Sequence, residues 1–477
     1  MPPRAPEYDA IVIGSGPNGL SAAAYLARSG WKVLVAEAGP TPGGGARTQE
    51  LTLPGFHHDI CSAIHPTGLA SPVFEDLNLA AHGLEWIHPD IPLAHPLDHG
   101  RAAVLHRSLD QTAESLGIDR TAYHLLFDSL VKNAPSLYRD VFSPLQFPSH
   151  PLQMAAFGLR SLPPASLLAR LAFRTPEARA LLAGNAAHSV LPLEAPLTSA
   201  IALMLQFSAH AVGWPVAKGG SQSITTALTH LLEHHGGELI TNWRIRSLAD
   251  LPPSRAVLFD TAPKHLSEIA GHALPSSYRR RLERYRHGPG VFKIDYALSE
   301  PVPWTHPDCR KAGTVHVGGT LEEISRSEND ACEGRHSDHP FVLTAQQSLC
   351  DPSRAPAGQH TLWAYCHVPH GSTTDMRPRI EAQIERFAPG FRDTILAAHT
   401  HHSLQMQAHN PNYIGGDVVG GMTDWRQLLT RPVARFNPYA TPNPRLFLCS
   451  ASTPPAGGVH GMCGYHAARA ALDRHAK

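Results

Sequence analysis

About the first forty residues read as a strand, a glycine-rich turn, a helix and a second strand. Residues 10–13 form a short, continuous apolar run that ends in glycine, as a buried parallel strand does. Residues 20–29 are rich in Ala and Leu and stop at another glycine, which predicts a helix. Residues 32–36 (KVLVA) read as the second strand. This order predicts a βαβ unit, and therefore an α/β fold built on a doubly wound sheet.

The turn between the first strand and the helix carries three spaced glycines. Gly14 permits a tight turn, Gly16 lets the backbone approach a pyrophosphate, and Gly19 lets helix and strand pack closely. Pro17 and Asn18 begin the helix, whose free N–H groups and dipole favour negative charge. Such glycines are common in turns, but here they join a strand to a helix. The sequence therefore predicts a Rossmann-like domain that binds a dinucleotide.

An acidic residue follows the second strand. Glu37 lies eighteen residues beyond Gly19, and Ala38 comes directly after it. A carboxylate at the end of this strand is placed to accept hydrogen bonds from ribose hydroxyl groups. The same charge would repel a 2′-phosphate, so the pattern favours FAD or NAD over NADP.

A second glycine-rich turn, residues 42–48 (PGGGART), comes soon after the acid. Glycines in this turn would bring backbone N–H groups towards the flavin side of a longer cofactor. We therefore include Gly44, Gly45, Arg47 and Thr48 in the predicted cofactor site. The alternative is a flexible loop.

A third glycine-rich turn, residues 454–464 (PPAGGVHGMCG), leads into the last helix of the chain. We expect Gly458, Val459 and Met462 to contact the cofactor there. A helix N-terminus beside the isoalloxazine C2 carbonyl would stabilise the negative charge that develops on reduction. Glycine-rich turns at opposite ends of the chain match one long ligand that reaches across the domain, which favours FAD.

The remainder of the chain changes texture twice. Residues 108–214 read as helical, and strand-like segments return from residue 237 onwards. This alternation predicts a discontinuous FAD-binding domain interleaved with an α+β substrate domain. The predicted ranges are 1–107, 211–288 and 422–477 for the FAD-binding domain, and 108–210 and 289–421 for the substrate domain.

Three segments carry a resemblance to a known family: residues 8–30 (YDAIVIGSGPNGLSAAAYLARSG), the 42–48 turn, and residues 445–472 (RLFLCSASTPPAGGVHGMCGYHAARAAL). They resemble the phytoene desaturase-like flavoproteins, which include carotenoid desaturases and isomerases and relatives of pyridine nucleotide-disulphide oxidoreductase domain-containing protein 2. The resemblance implies FAD and an oxidoreductase that takes hydride from a hydrophobic polyene or isoprenoid substrate, by desaturation or redox isomerisation. It also implies that Ile245 touches the adenine through its backbone and that residues 410–421 lie near the flavin.

Departures from related sequences leave alternatives open. Amine oxidases of the same fold usually carry Arg where this chain has Gly45, which disfavours amine oxidation. No second strand–GxGxxG–helix unit follows residue 100 and no CxxC pair occurs, which disfavours an NAD(P)H-fed reductase and a dithiol enzyme. We expect electrons to pass to a quinone or oxygen, and no catalytic acid or base is assigned. The alternatives are an oxidase of another small apolar or amine substrate, and a flavin-bearing binding or regulatory protein.

Charge and cysteine usage narrow the partners and the compartment. Lys plus Arg and Asp plus Glu both number 40, so no basic field favours a nucleic-acid partner. Seven cysteines without a CxxC pair, and a first strand within ten residues of the N-terminus, favour a cytoplasmic protein without a signal peptide. His57, His58 and His65 show no metal-ligand spacing, so no metal site is predicted.

One stretch, residues 195–217, carries no Asp, Glu, Lys or Arg. Its polar residues and two prolines favour a buried helix over a membrane span. Such a helix would either line an apolar tunnel for a long hydrocarbon or belong to an ordinary domain core. In the first case the protein would also contact a membrane surface peripherally.

Overall fold

A computed structural model describes residues 7–475. Its strands are, in chain order, β1 (Tyr8–Ile13), β2 (Val33–Ala36), β3 (Thr48–Glu50), β4 (His57–Asp59), β5 (Trp86–Ile87), β6 (Ile91–Leu97), β7 (Arg101–Leu105), β8 (Val216–Ala217), β9 (Glu238–Ile240), β10 (Ser254–Phe259), β11 (Gly290–Leu298), β12 (Ala312–Val317), β13 (Val342–Ala345), β14 (His360–Val368), β15 (Ile395–His401) and β16 (Leu446–Leu448). Its α-helices are α1 (Pro17–Arg28), α2 (Pro66–Leu69), α3 (Pro72–Asp76), α4 (Leu109–Ser115), α5 (Arg120–Lys132), α6 (Ala134–Val141), α7 (Pro151–Ser161), α8 (Ala165–Ala172), α9 (Pro176–Ala186), α10 (Thr198–Ala211), α11 (Gln222–His234), α12 (Pro263–Ala270), α13 (Ser276–Glu283), α14 (Leu321–Cys332), α15 (Arg377–Phe387), α16 (Ser403–His409), α17 (Trp425–Thr430) and α18 (Met462–His475).

The first sheet has five parallel strands in the order β16-β10-β1-β2-β9. All four residues of β2 are buried and apolar, as expected for a parallel strand covered on both faces. Helix α1 packs against α11 and α18. The predicted βαβ unit and the α/β fold are therefore confirmed. Helix α1 starts earlier than predicted because Pro17, whose ring fixes a helical φ, occupies its first turn.

The second sheet has seven strands in the order β15-β11-β14-β13-β12-β6-β7. Its pairs are antiparallel except β12 with β6. One face buries an apolar core that includes Tyr296 and Trp304, together with side chains of α15. The opposite face of β11 carries Lys293 and Asp295, which are also buried. Both faces of this sheet are therefore covered, although its strands alternate polar and apolar residues.

Strands β6 and β7 come from the range 1–107 but pair within the second sheet. Strand β6 (IPLAHPL) is buried at every position, and its apolar run does not indicate which sheet it joins. The predicted boundary at residue 107 thus falls after two strands of the second sheet. The domain ranges otherwise stay a prediction, and residues 1–6 and 476–477 of those ranges lie outside the described part.

Helices α4 to α10 follow the first strands of the second sheet. Helix α10, from the uncharged stretch 195–217, is largely buried and packs against α5, α7, α8 and α9. This agrees with the expected buried helix. Within residues 7–475, no helix combines the length and the apolarity needed to cross a bilayer.

Candidate cofactor and substrate site

A single cavity of about 1010 Å³ lies between the two sheets. Its walls include the carboxyl ends of β1, β2 and β10, residues of α10, and the inner face of β11, β13 and β14. Twelve of the predicted cofactor residues line it: Gly14, Gly16, Pro17, Asn18, Glu37, Ala38, Gly44, Gly45, Arg47, Ile245, Gly458 and Val459. Gly19, Thr48 and Met462 lie next to the cavity without lining it. Segments 245, 410–413 and 418–420, implied by the family resemblance, are also in the walls.

The first glycine turn approaches neighbouring backbone closely. Gly14 has a φ of +99°, and a Cβ on it would lie 2.7 Å from the carbonyl oxygen of Asp260. A Cβ on Gly19 would lie 2.2 Å from the carbonyl oxygen of Gly14. These contacts explain why glycine occupies both positions: Gly14 needs the left-handed φ, and Gly19 lets α1 lie against the turn.

Asp260, which follows β10, is the main site residue that sequence reasoning missed. Its Oδ2 accepts a hydrogen bond of 2.8 Å from the Gly19 N–H. A Cβ on Gly16 would lie 2.6 Å from the same oxygen. Burial raises the pKa of this carboxyl to about 7; the negative charge of Glu37 adds to the rise, whereas the Gly19 and Gly16 N–H groups oppose it. The carboxyl of Asp260 therefore lies against the turn predicted to receive the pyrophosphate.

Glu37 is buried, and both its oxygens are engaged. Oε2 accepts hydrogen bonds from the N–H and the hydroxyl of Ser15. Oε1 accepts a 2.7 Å bond from the Gly39 N–H and pairs with Arg47 at 3.3 Å. Arg47, predicted only as a member of the second turn, thus fixes the carboxylate at the end of β2. Both oxygens keep lone pairs, so the carboxylate stays suited to ribose hydroxyls.

The second glycine turn packs on the first. A Cβ on Gly44 would lie 2.9 Å from the Cα of Gly16, and a Cβ on Gly45 would lie 2.1 Å from the hydroxyl of Tyr413. Thr48 points away from the cavity, because its hydroxyl donates a 2.7 Å hydrogen bond to Asp59. The turn is therefore a packed part of the cavity wall.

The closing turn is equally close-packed. A Cβ on Gly464 would lie 1.8 Å from the carbonyl oxygen of Asn18, so α18 crosses the start of α1 at contact distance. The Met462 N–H donates to Nδ1 of His460 at 3.1 Å. Burial lowers the pKa of His460 to about 4, so this imidazole is neutral at pH 7. Val459 and Gly458, in contrast, are exposed to the cavity.

The half of the cavity beyond these turns is mostly apolar. An aromatic pair, Trp363 and Tyr365 of β14, forms one wall with ring centroids 4.9 Å apart and planes at 80°. Lys293 also lines this half; its ammonium pairs with Asp295 and lies 5.8 Å from the Trp363 ring centroid. Apolar side chains complete the wall: Ile201, Met204, Leu205, Val291, Leu343, Ala345, Met406 and Val418. In the described chain, the carboxylates of the cavity wall are Glu37, Asp260 and Glu268. All three belong to the nucleotide half.

A buried ionic cluster stands behind Lys293. Arg354 pairs with Asp59 at 2.8 Å, and both side chains are about 1% exposed. Burial raises the pKa of Asp295 to about 6, against the opposing charge of Lys293. Burial, together with the charges of Lys293 and Arg354, lowers the pKa of His58 to about 3.

These features fit FAD. The carboxylate at the end of β2, the glycine turn at the start of α1, and the turn before α18 all open into the same cavity. A single ligand can therefore contact an adenosine site, a pyrophosphate site and the closing helix, as a flavin dinucleotide requires. FAD is the cofactor of this site.

Comparisons with known proteins agree with this assignment. Residues 12–78 match the model of the NAD(P)-binding Rossmann-like domain. The chain is 26% identical to pyridine nucleotide-disulfide oxidoreductase domain-containing protein 2 of Rattus norvegicus over 551 aligned positions, which cover 97% of this chain and 93% of that protein. It is 37% identical over 110 positions to a limonene dehydrogenase component of Castellaniella defragrans, or 23% of this chain and 20% of that protein. Cyclohexylamine oxidase from Brevibacterium oxydans superposes with a TM-score of 0.61 at 16% identity over 99% of this chain and 100% of that chain, and so shares the fold.

Proposed function

Because the chain belongs to the Rossmann-like FAD-dependent oxidoreductases, we propose that it removes hydride from a neutral, hydrophobic substrate of the isoprenoid or polyene class. The observation that carries this proposal is the substrate half of the cavity, where apolar and aromatic side chains surround one lysine and no carboxylate among the described residues. Bound FAD supplies the hydride acceptor there. The product would be a desaturated or an isomerised hydrocarbon.

The residues of the protein would bind and orient this substrate. Burying a hydrocarbon against Ile201, Met204 and Leu205 gains roughly 25 cal/mol per Å² of apolar surface removed from water. The same side chains keep water away from the reacting carbon. The family resemblance and the limonene dehydrogenase component, whose name gives a hydrocarbon substrate, support the same class.

A small amine is the second candidate. The perpendicular rings of Trp363 and Tyr365 favour it, because an aromatic pair binds cations through its π faces. Lys293 opposes it, since its ammonium already lies 5.8 Å from the Trp363 centroid and would repel a protonated amine. An amine would also lack a carboxylate partner on this wall of the described cavity. The neutral substrate is therefore preferred.

We also propose that a membrane supplies the substrate, with a quinone or oxygen as the electron acceptor. Helices α5, α7 and α8 lie outside α10, the helix that lines the cavity. Large apolar side chains are exposed on these helices and their connections: Ile118, Leu125, Leu145, Phe147, Leu152, Leu159, Leu162, Leu167 and Leu171. An exposed apolar surface of this extent favours contact with lipid. Exposed Lys132 and Arg139 in the same segment would add attraction to anionic headgroups.

Anaerobic titration of the FAD-loaded protein tests the substrate class. Limonene and phytoene should bleach the flavin absorbance, whereas putrescine and cyclohexylamine should leave it unchanged. Met204→Gln places an amide in the apolar wall and should weaken bleaching by the hydrocarbons without loss of bound FAD. Met154→Gln, at a partly buried position that does not line the cavity, is the matched control.

Three outcomes would count against the proposal. Bleaching by the amines alone favours the amine oxidase. Absence of bleaching by every compound, with a protein partner that co-purifies, favours a flavin-bearing regulatory protein. Failure of the doubly substituted Leu152→Asp, Leu159→Asp protein to lose flotation with anionic vesicles would remove the membrane contact and leave the substrate class untouched.

A further inference from the structure

Two histidines on the outermost strand of the second sheet face a buried aspartate. His399 and His401 alternate along β15 and so share one face of the sheet. In the register with β11, Asp295 lies opposite His399 and Lys293 lies opposite His401. One ring nitrogen of each histidine and one carboxylate oxygen of Asp295 lie within 4.8 Å of one another. A single ion between them could reach all three.

The atoms that meet at this point have no hydrogen-bond partner. Asp295 Oδ1, His399 Nδ1 and His401 Nδ1 are buried and unpartnered, and Asp295 is 0% exposed. His58 Nδ1 is also unpartnered and lies 3.7 Å from Asp295 Oδ1. Leaving a buried polar atom without a partner costs about 1–3 kcal/mol. Four such atoms around one point therefore indicate a binding site for a positively charged ligand.

We propose that Asp295, His399 and His401 bind a divalent transition-metal ion of the zinc class. Two imidazole nitrogens and a carboxylate oxygen are donors that Zn²⁺ accepts, and they differ from the all-oxygen sets of Ca²⁺ and Mg²⁺. His58, on strand β4, completes the surroundings as a fourth donor or through a bound water. The ion would join the edge strand β15 to β11 at a point directly behind the cavity wall.

Neighbouring groups orient the proposed ligands. The Lys293 ammonium donates to Oδ2 of Asp295, which leaves Oδ1 free for the ion. The Nε2 of His58 is 2.8 Å from the Thr52 hydroxyl, which leaves Nδ1 directed towards Asp295. Ligands of metal sites are commonly held by outer hydrogen bonds of this kind. The Lys293 charge opposes the ion, and a hydroxide in an open coordination position would reduce that repulsion.

The edge position gives the ion an entry path. Strand β15 is the outermost strand of the sheet, and His399 and His401 are only partly buried. An ion could therefore reach the site from solvent without opening of the core. Because Lys293 contacts both Asp295 and the cavity, the ion would also restrain the one ammonium of the substrate wall.

Zinc retention by the FAD-loaded, full-length protein tests the proposal. Protein treated with a chelator, loaded with Zn²⁺ and passed through gel filtration should keep about one equivalent by elemental analysis. The His399→Gln, His401→Gln variant should bind that equivalent at least about 100-fold more weakly, because removal even of an outer-sphere group costs 10–100-fold. Zinc-edge X-ray absorption should show nitrogen and oxygen neighbours without sulfur. These readouts do not depend on any substrate or on turnover.

Matched controls separate this site from nonspecific binding by the 32 histidines of the chain. His234→Gln, His235→Gln changes an exposed pair at the end of α11 and should retain the bound zinc. The two histidine variants are preferred to an Asp295 variant, which would leave Lys293 buried without a partner. Equal zinc retention by the His399/His401 variant and the parent, no retention by the parent, or preference for Mg²⁺ over Zn²⁺ would overturn the proposal.

Discussion

Substitution of Asp260 by Asn should make the affinity for FAD independent of pH between 6 and 8. The Asp260 carboxyl accepts the Gly19 N–H at 2.8 Å and lies against Gly16, in the turn where the pyrophosphate of FAD binds. Two anions would then compete for one set of donors. We expect FAD to bind the form of the protein in which this carboxyl is protonated and neutral. Asparagine resembles that form at every pH and can still accept from Gly19.

The size of the effect follows from the pKa of Asp260, which burial raises from 3.8 to about 7. The protonated fraction falls as the pH rises through about 7, so FAD binding should weaken in that direction. With a pKa of about 7, the carboxyl is roughly 90% protonated at pH 6 and roughly 90% ionised at pH 8. The apparent dissociation constant should therefore rise about tenfold between these values, or by about 1.4 kcal/mol. The Asp260→Asn protein should bind FAD about tenfold more tightly than the parent at pH 8 and equally at pH 6.

Titration of the apoprotein with FAD, followed by quenching of flavin fluorescence, measures these constants. Calorimetry at pH 8 in buffers of different ionisation enthalpy should show uptake of nearly one proton by the parent and none by Asp260→Asn. Other groups that titrate in the cavity contribute equally to both proteins, so the comparison isolates Asp260. A tenfold pH dependence that persists in Asp260→Asn would refute the reasoning. A parent protein whose affinity is flat from pH 6 to pH 8 would refute it as well.

Two further substitutions test the packing of the site. Gly45→Ala should lower the flavin-to-protein ratio of the purified protein, because the new Cβ would lie 2.1 Å from the Tyr413 hydroxyl; adding Tyr413→Phe should restore much of it, and no recovery would contradict the steric explanation. Arg354→Met leaves Asp59 buried without its partner and should reduce the free energy of unfolding in urea by about 3–5 kcal/mol. Arg335→Met, in an exposed ion pair, should change it by no more than about 1 kcal/mol, and equal losses would show that burial of the pair is irrelevant.

The cofactor half of the site could be predicted because its signals are local in sequence. The strand, turn and helix around Gly14 lie within about twenty residues, and each glycine is required by a contact inside that unit or with the strand beside it. Glu37 follows from the same unit, since it ends the next parallel strand. Asp260 could not be predicted in this way. It reaches Gly19 across 241 positions, and only the pairing of β10 with β1 brings the two residues together.

The second sheet hides its function for a different physical reason. In β11 the sequence VFKIDYAL alternates apolar and polar residues, which usually indicates one face in solvent. Here both faces are buried, and Lys293 and Asp295 point into the interior beside the cavity. Their partners come from β4, β14 and β15, so no short pattern connects them. A predicted strand therefore does not reveal whether its polar residues meet water, a substrate or a metal ion.

This difference determines which substitutions should change the cofactor and which should change the substrate. The glycine turns and Glu37 act on the nucleotide, and they are held by backbone contacts that exist whatever the substrate is. The apolar wall and Lys293 act on the substrate, and they belong to α10 and the second sheet. A chain with the same first forty residues but an acid in place of the apolar residues near Lys293 would keep FAD and could bind a cation. The preference for a neutral hydrocarbon thus depends on that wall, and the family motif alone cannot establish it.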